Sequence, residues 1–282
     1  MNSARMAVLL CDRESVPGVR SNGSLRVLRQ PDRRVWQQAT HLFVACSATE
    51  LPAIAELASA ANRTHRLRAL FVRENVEPAF LGPMLDRANL RLLRNLVVHH
   101  GSGVPTRILR AWQGGAQDTL IAEASLSEGR LFLLTCALER LELPIRDVAA
   151  LSSVPDEELR AFRLAEDGSY LHWPRPDVHL DLDSVRYLIE PAARRRMDLV
   201  RVAHDRRFGE AVASLRRDRG LEQSAVPGVS ERQVRRIEAG SIPRVSTLEK
   251  LAAAHGMKVD EYLSRVARRA TGVSLLPTEE VK

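Results

Sequence analysis

The chain has 282 residues, 45% hydrophobic and 27% charged, with 42 Lys/Arg against 35 Asp/Glu and a formal net charge of +7. This composition suits a globular protein with room for two or three cores, and it excludes a disordered or collagen-like chain. No apolar run, the one around Leu131 to Leu134 included, is long enough to cross a bilayer, so no membrane partner is expected.

The basic excess is local. Residues 191–270 carry 18 Lys/Arg against 10 Asp/Glu, whereas residues 1–190 carry 23 of each and the remaining tail contributes −1. A surplus confined to one segment points to a polyanion partner for that segment. Cys11, Cys46 and Cys136 lack CxxC or Cys/His spacing and sit in apolar runs, which predicts reduced core residues of a cytoplasmic protein. The opening apolar run is cut short by Asp12 and has no small-residue cleavage site, so no export is expected.

In chain order, residues 7–11, 25–28, 41–46, 67–72 and 96–100 are short runs rich in Val, Leu and Phe. Residues 51–61 and 78–89 between them have helical apolar spacing. Such βα units predict an N-terminal α/β domain over residues 1–103, with a parallel sheet covered on both faces. With Asp12 closing the first strand, the segment resembles a bacterial receiver domain of flavodoxin-like fold. A receiver phosphorylates an aspartate after its third strand and uses a lysine after its fifth. Cys46-Ser47 and His99-His100 stand there instead. The resemblance therefore implies a degenerate receiver without a phosphoacceptor.

Gly101-Ser102-Gly103 with Pro105 marks a boundary, and residues 104–190 read as a small α+β domain. Two strands, 119–126 and 130–138, flank Ser127-Glu128-Gly129; a helical turn at 157–160 follows. A second hairpin, 161–165 with 169–173, turns at Asp167-Gly168, and the run ends in a helix closed by Pro191. The DG turn, Trp173-Pro174 and the DVHLDLD stretch resemble a small bacterial domain of unknown function that is often fused to a Cro-type helix-turn-helix. That resemblance implies a sensing or dimerising module.

Residues 191–207 form a basic connector in which Met197, Leu199, Val200 and Val202 are available for packing. From 208 to 270, three short helical patterns are punctuated at Gly220, at Pro227-Gly228 and at Gly240. Ser230 with Gln233 three residues later forms a capping box, and Val234 and Ile237 give the helix over residues 230–239 one apolar edge. Glu231, Arg232, Arg235 and Arg236 then project outward, as on a helix that enters a DNA major groove. The segment is identified as a member of the Cro/C1-type helix-turn-helix repressor family. It departs from that family between Gln223 and Glu231, where about one helical turn is missing. The resemblance places Gln223 at a phosphate or flanking base edge. Ser230, Glu231, Arg232, Gln233, Arg235 and Arg236 fall at the reading helix, Arg244 at the backbone or minor groove, and Arg216 with Glu238 in a structural ion pair. Residues 271–282 read as a flexible tail.

The cluster His172, Asp177, His179, Asp181 and Asp183 invites a metal reading, because 179, 181 and 183 would share one face of a strand. The same segment also serves as an N-cap for the following helix, and without Cys/His spacing no metal is assigned. No nucleophile elbow, P-loop or GxGxxG occurs, so no cofactor, catalytic residue or enzymatic activity is expected. The sequence thus predicts a multidomain, sequence-specific transcription regulator that binds double-stranded DNA as a homodimer. The alternative is an antitoxin-like or adaptor protein that engages a protein partner through residues 1–190 and binds DNA to regulate its own expression.

Overall fold

The computed structural model describes residues 6–32 and 38–271, so the expected tail lies, from residue 272 on, outside the described residues. The chain divides into two compact units, Met1–Ile189 and Glu190–Lys282.

In the first unit, β1 (Met6–Leu10), β2 (Leu25–Leu28), β3 (His41–Ser47), β4 (Leu67–Arg73) and β5 (Leu96–His99) pair in parallel. Their order is β2-β1-β3-β4-β5, so the strand order reverses between β1 and β3, where doubly wound sheets place their ligand crevice. β3 is buried from Leu42 onward, as a strand covered on both faces must be. On one face, α1 (Leu51–Arg63) and α2 (Pro78–Arg87) set Leu51, Ile54, Leu81 and Leu85 against Leu9, Val44 and Leu70. On the other, α3 (Gly103–Gly114) sets Ile108 and Leu109 against Val8, Phe43 and Phe71. Each such side chain contributes about 1.5–3 kcal/mol on burial. The expected boundary after residue 103 therefore falls at the head of a helix that covers the sheet. Trp112 of α3 packs edge-on to Phe43 at 5.6 Å and donates its indole N–H to the Cys136 carbonyl at 2.8 Å, tying the next layer to the first.

That layer begins with β6 (Ile121–Ser127) and β7 (Arg130–Thr135), joined by Glu128-Gly129 with φ of 50° and 73°, a two-residue turn matched to strand twist. The second strand ends at Thr135 rather than 138, because the Thr135 hydroxyl accepts from the Glu139 amide and Leu138 turns with φ 71°. The chain then forms β8 (Arg140–Pro144), an antiparallel strand that the sequence reading did not anticipate. After α4 (Asp156–Leu159) come β9 (Arg163–Leu164), β10 (Tyr170–Trp173) and β11 (Val178–Asp181), in the sheet order β11-β10-β9. α5 (Leu182–Ile189) closes the unit. The DVHLDLD segment is thus both strand and cap: Asp181 accepts from the Ser184 amide at 2.8 Å. Asp183 lies in the first turn of α5, so residues 179, 181 and 183 do not share a strand face. Trp173 is fully buried and donates to the Leu159 carbonyl at 2.9 Å.

The two antiparallel sheets meet at Gly168. Its φ is 82°, its carbonyl accepts from the Ile121 amide at 2.8 Å, and an added Cβ would collide with the Ile121 carbonyl oxygen. Backbone strain and steric overlap therefore act together. Gly168→Ala is expected to destabilise the unit by about 2–3 kcal/mol. An unchanged urea midpoint would contradict this packing.

Candidate nucleic-acid interface

The second unit is helical: α6 (Pro191–Asp218), a 3-10 turn at Gln223–Ala225, α7 (Glu231–Glu238), α8 (Val245–Ala254) and α9 (Val259–Ala270). The expected connector at 191–207 is the first half of one continuous helix, with Leu199, Val200 and Val202 exposed at 71%, 65% and 60%. The second half buries Ala211, Val212 and Leu215 in a core with Val226, Val229, Val234, Ile237, Leu251, Tyr262 and Val266. α9 is fastened to α6 by Arg269, which bonds Ser214 and Asp218.

α7 is held from behind at three places. Val234 and Ile237 are 0% and 3% exposed. Gly209 of α6 lies so close that an added Cβ would sit 2.5 and 2.6 Å from the Glu238 and Ile237 carbonyl oxygens. Arg216 closes the crossing: its Nε and Nη2 donate to the two Glu238 carboxylate oxygens at 2.5 and 3.1 Å, and its Nη1 donates to the Leu221 carbonyl. Both side chains of the pair are only about a tenth exposed, at 12% and 9%. Burial alone would raise the Glu238 carboxyl; hydrogen bonds from Arg216 and Gln223 outweigh it and hold the group below its ordinary value.

Gln223 therefore does not point outward as the resemblance implied. Its amide donates to Glu238 at 2.6 Å, because the single 3-10 turn leaves it facing the pair. The capping box is half formed. Ser230 accepts from the Gln233 amide at 3.3 Å, while the Gln233 side chain donates to the Thr247 hydroxyl at 3.2 Å and links α7 to α8.

The outward face carries Glu231, Arg232, Arg235 and Arg236, all exposed. Arg235 lies 3.6 Å from Glu231, one turn away. Arg232 and Arg236 share a face at i,i+4 and have no ion-pair partner among the described residues. Arg244, the residue preceding α8, is exposed as well. It is flanked by Ile242 and Val245, exposed at 77% and 69%. The sequence reading missed this apolar pair; its signal was two branched residues on either side of Pro243-Arg244, at the head of α8.

In the first unit, a second polar group lines the C-terminal edge of the parallel sheet. Asp12 follows β1, Ser47 and Arg73 pair at the ends of β3 and β4, and Arg73 pairs with His99 at the end of β5. Asp12 accepts from Arg73 at 2.5 Å and from Ser15 at 2.9 Å. Burial opposes ionisation of Asp12, but these bonds prevail and lower its pKa. The Ser47 hydroxyl donates to Glu50 at 2.9 Å. Burial lowers the His99 pKa. Within the row the cationic Arg73 occupies the space beside Asp12, while the buried Nε2 of His99 has no hydrogen-bond partner among the described residues. The cysteines are free, and burial pushes the Cys11 and Cys136 thiols up to about 11 and 12.

His255 is 1% exposed and stacks, tilted, 5.1 Å from Tyr262, whose hydroxyl burial pushes up to about 12. Burial, and then the guanidiniums of Arg219, Arg216 and Arg265, hold the imidazole below its ordinary 6.5. The folded unit keeps His255 neutral, whereas the unfolded chain takes up a proton as pH falls below that value. Stability is thus full above about pH 6.5 and is lost as pH falls through the folded value. Amide-exchange protection of α8 and α9 is expected to drop between about pH 8 and pH 5.5 and to drop less in His255→Phe. Equal drops in both chains would remove His255 as the cause. Arg216→Ala, which leaves Glu238 buried without its partner, is expected to cost about 2–4 kcal/mol in the same unit. No change in its unfolding midpoint would show that the pair is not structural.

Comparison with known proteins yields no significant match to any family model, curated protein or solved structure.

Proposed function

We propose that the chain is a sequence-specific transcription regulator that binds double-stranded DNA with α7 in the major groove. The observation that carries this reading is the pairing of Arg232 and Arg236 on one exposed face without a counter-ion among the described residues, on a helix whose back is fixed by Val234, Ile237 and Glu238. A guanidinium fork matches guanine O6 and N7, and each such bidentate contact gives about 1–3 kcal/mol of discrimination. Arg235, shared with Glu231, and Arg244 suit phosphate contacts, which add affinity and salt dependence more than sequence choice. The charge distribution supports the same partner, since the whole basic excess lies in residues 191–270. Helix-turn-helix modules of this size commonly read two half-sites, so the regulator acts as a homodimer on an inverted repeat. The parallel-sheet layer, receiver-like in strand order, and the antiparallel layers then serve sensing or self-association in a cytoplasmic protein.

Genome-wide capture of DNA by the full chain tests the reading. A shared motif is expected with wild type, and its enrichment is expected to fall at least about tenfold in Arg232→Ala/Arg236→Ala. Capture without a motif, or equal capture by the variant, would leave only a nonspecific basic surface. Arg235→Ala is expected instead to lower affinity for all sequences alike and to reduce the salt slope by about one. Loss of sequence preference in Arg235→Ala would reverse these two assignments.

A further inference from the structure

We propose that the β10–β11 hairpin binds one divalent zinc ion through His172, Asp177 and His179. The site lies wholly within the first unit and stands independently of the DNA-binding reading.

Register creates the site. His172 and His179 are direct partners across the antiparallel pair, so their side chains leave the same face. Their rings lie parallel, 6° apart in plane, with centroids 4.3 Å apart. The connection ends at Asp177, in a left-handed conformation with φ 49°, which brings its Oδ1 to 3.4 Å from His172 Nε2. One donor atom from each of the three residues lies within 4.8 Å of the others.

These separations come within reach of a tetrahedral ion once the two rings turn out of their parallel stack, so that their in-plane lone pairs converge. With Zn–N and Zn–O bonds of about 2.0–2.2 Å, neighbouring donors lie about 3.3–3.6 Å apart. The His172–Asp177 edge already has that length. The longest donor separation, at most 4.8 Å, closes by little more than one ångström, within reach of rotating an exposed ring about its broad outer torsion. His179 and Asp177 are exposed and free to make that adjustment.

The scaffold beneath does not move with them. Leu171, Trp173 and Leu180, on the opposite face of the hairpin, are 0%, 0% and 3% exposed. Tyr170 packs edge-on to His179 at 4.9 Å and borders one side of its ring. The nearby charges are mixed. Arg163 of β9 faces His172 across the sheet, but it is exposed and its long stem lets the guanidinium swing into water. Arg175 is held 2.7 Å from Glu158. Asp181, opposite Tyr170, adds a second carboxylate to the same face.

Two imidazoles and one carboxylate form a borderline donor set that favours zinc, and nickel or copper where those are supplied, over the all-oxygen preference of calcium and magnesium. Three protein donors leave the fourth position to water, which makes the site half-open rather than a closed structural centre. The ion would clamp the turn end of the hairpin and order the turn at residues 174–177.

Equilibrium dialysis of the full chain against micromolar zinc, with a cobalt titration read by its visible d–d bands, tests the proposal. One ion per chain and a tetrahedral cobalt spectrum are expected. His172→Ala and His179→Gln are each expected to weaken zinc at least about tenfold and to abolish the tetrahedral spectrum, and Asp177→Asn to weaken it less. Circular dichroism distinguishes a folded variant from an unfolded one, and the exposed His179 and Asp177 keep the test open if His172→Ala misfolds. Lowering the pH should release the ion, since protons compete for the same lone pairs. No zinc taken up by the wild type, or uptake unchanged in both His179→Gln and Asp177→Asn, would overturn the proposal.

Discussion

The second unit depends on the crossing of α6 and α7, where Gly209 lets the helix backbones touch and Arg216 bonds both oxygens of Glu238. An eight-residue helix such as α7 is too short to hold itself together in water, so its geometry must come from its neighbours. Close backbone approach, two buried aliphatic side chains and one ion pair supply most of that geometry from the back, and the Ser230 cap and the Gln233–Thr247 bond add to it. The front is left without structural duty. Arg232 and Arg236 take no part in holding the fold, and a surface of this kind can be spent on recognition at no cost to stability.

The distinction between committed and uncommitted guanidiniums runs through both units. Arg73 neutralises Asp12, Arg216 neutralises Glu238, Arg269 joins α9 to α6, and Arg146 bonds the Asp156 carboxylate and the carbonyls of Ser152 and Val154. These side chains would have to break protein contacts to meet a ligand. The Asp12 edge illustrates the consequence. It lies at the strand ends where a doubly wound sheet places its crevice, yet its carboxylate is already answered by an internal cation. The same chemistry that satisfies a buried charge in one place leaves Arg232 and Arg236 of α7 meeting solvent without an ion-pair partner among the described residues, as it does other surface arginines such as Arg195 and Arg268.

Much of this was legible in the sequence, where one period dominates. Runs such as Leu-Phe-Val-Ala-Cys from Leu42 mark a strand buried on both faces, and the alternation of Val234 and Ile237 with arginines marks the outward face of α7. Arg216 and Glu238 do meet. What escaped depended on partners far away in the chain. β8 is the exception: its Arg-Leu-Glu-Leu alternation was a strand signal in the sequence, short and closed by Pro144, with Glu142 opposite Phe132 on β7. Gly209 looks like a weak point within a helix, and only the arrival of the Glu238 carbonyl explains it. His172 and His179 are seven residues apart, and no spacing rule joins them; a cross-strand register does. A slip of one residue would send one imidazole into the core and dissolve the pair.

The 3-10 turn at Gln223–Ala225 also shapes the crossing of α6 and α7. A 3-10 turn of three residues cannot present an outward-facing first turn, so Gln223 is drawn inward and its amide becomes a third bond to the Glu238 carboxylate. The orientation of α7 is then set by α6 through Arg216 and Gly209, and by α8 through the Gln233–Thr247 bond, rather than by a preceding helix lying across the backbone. On the DNA-binding reading, backbone anchoring passes from the second helix to the loop after α7, where Arg244 stands exposed between Ile242 and Val245. A guanidinium flanked by two branched apolar side chains suits a groove edge, where the charge meets phosphate and the methyl groups meet sugar or thymine. On that reading, fixing the helix from behind and anchoring it from one side would set its tilt, and the tilt would determine which base pairs Arg232 and Arg236 reach.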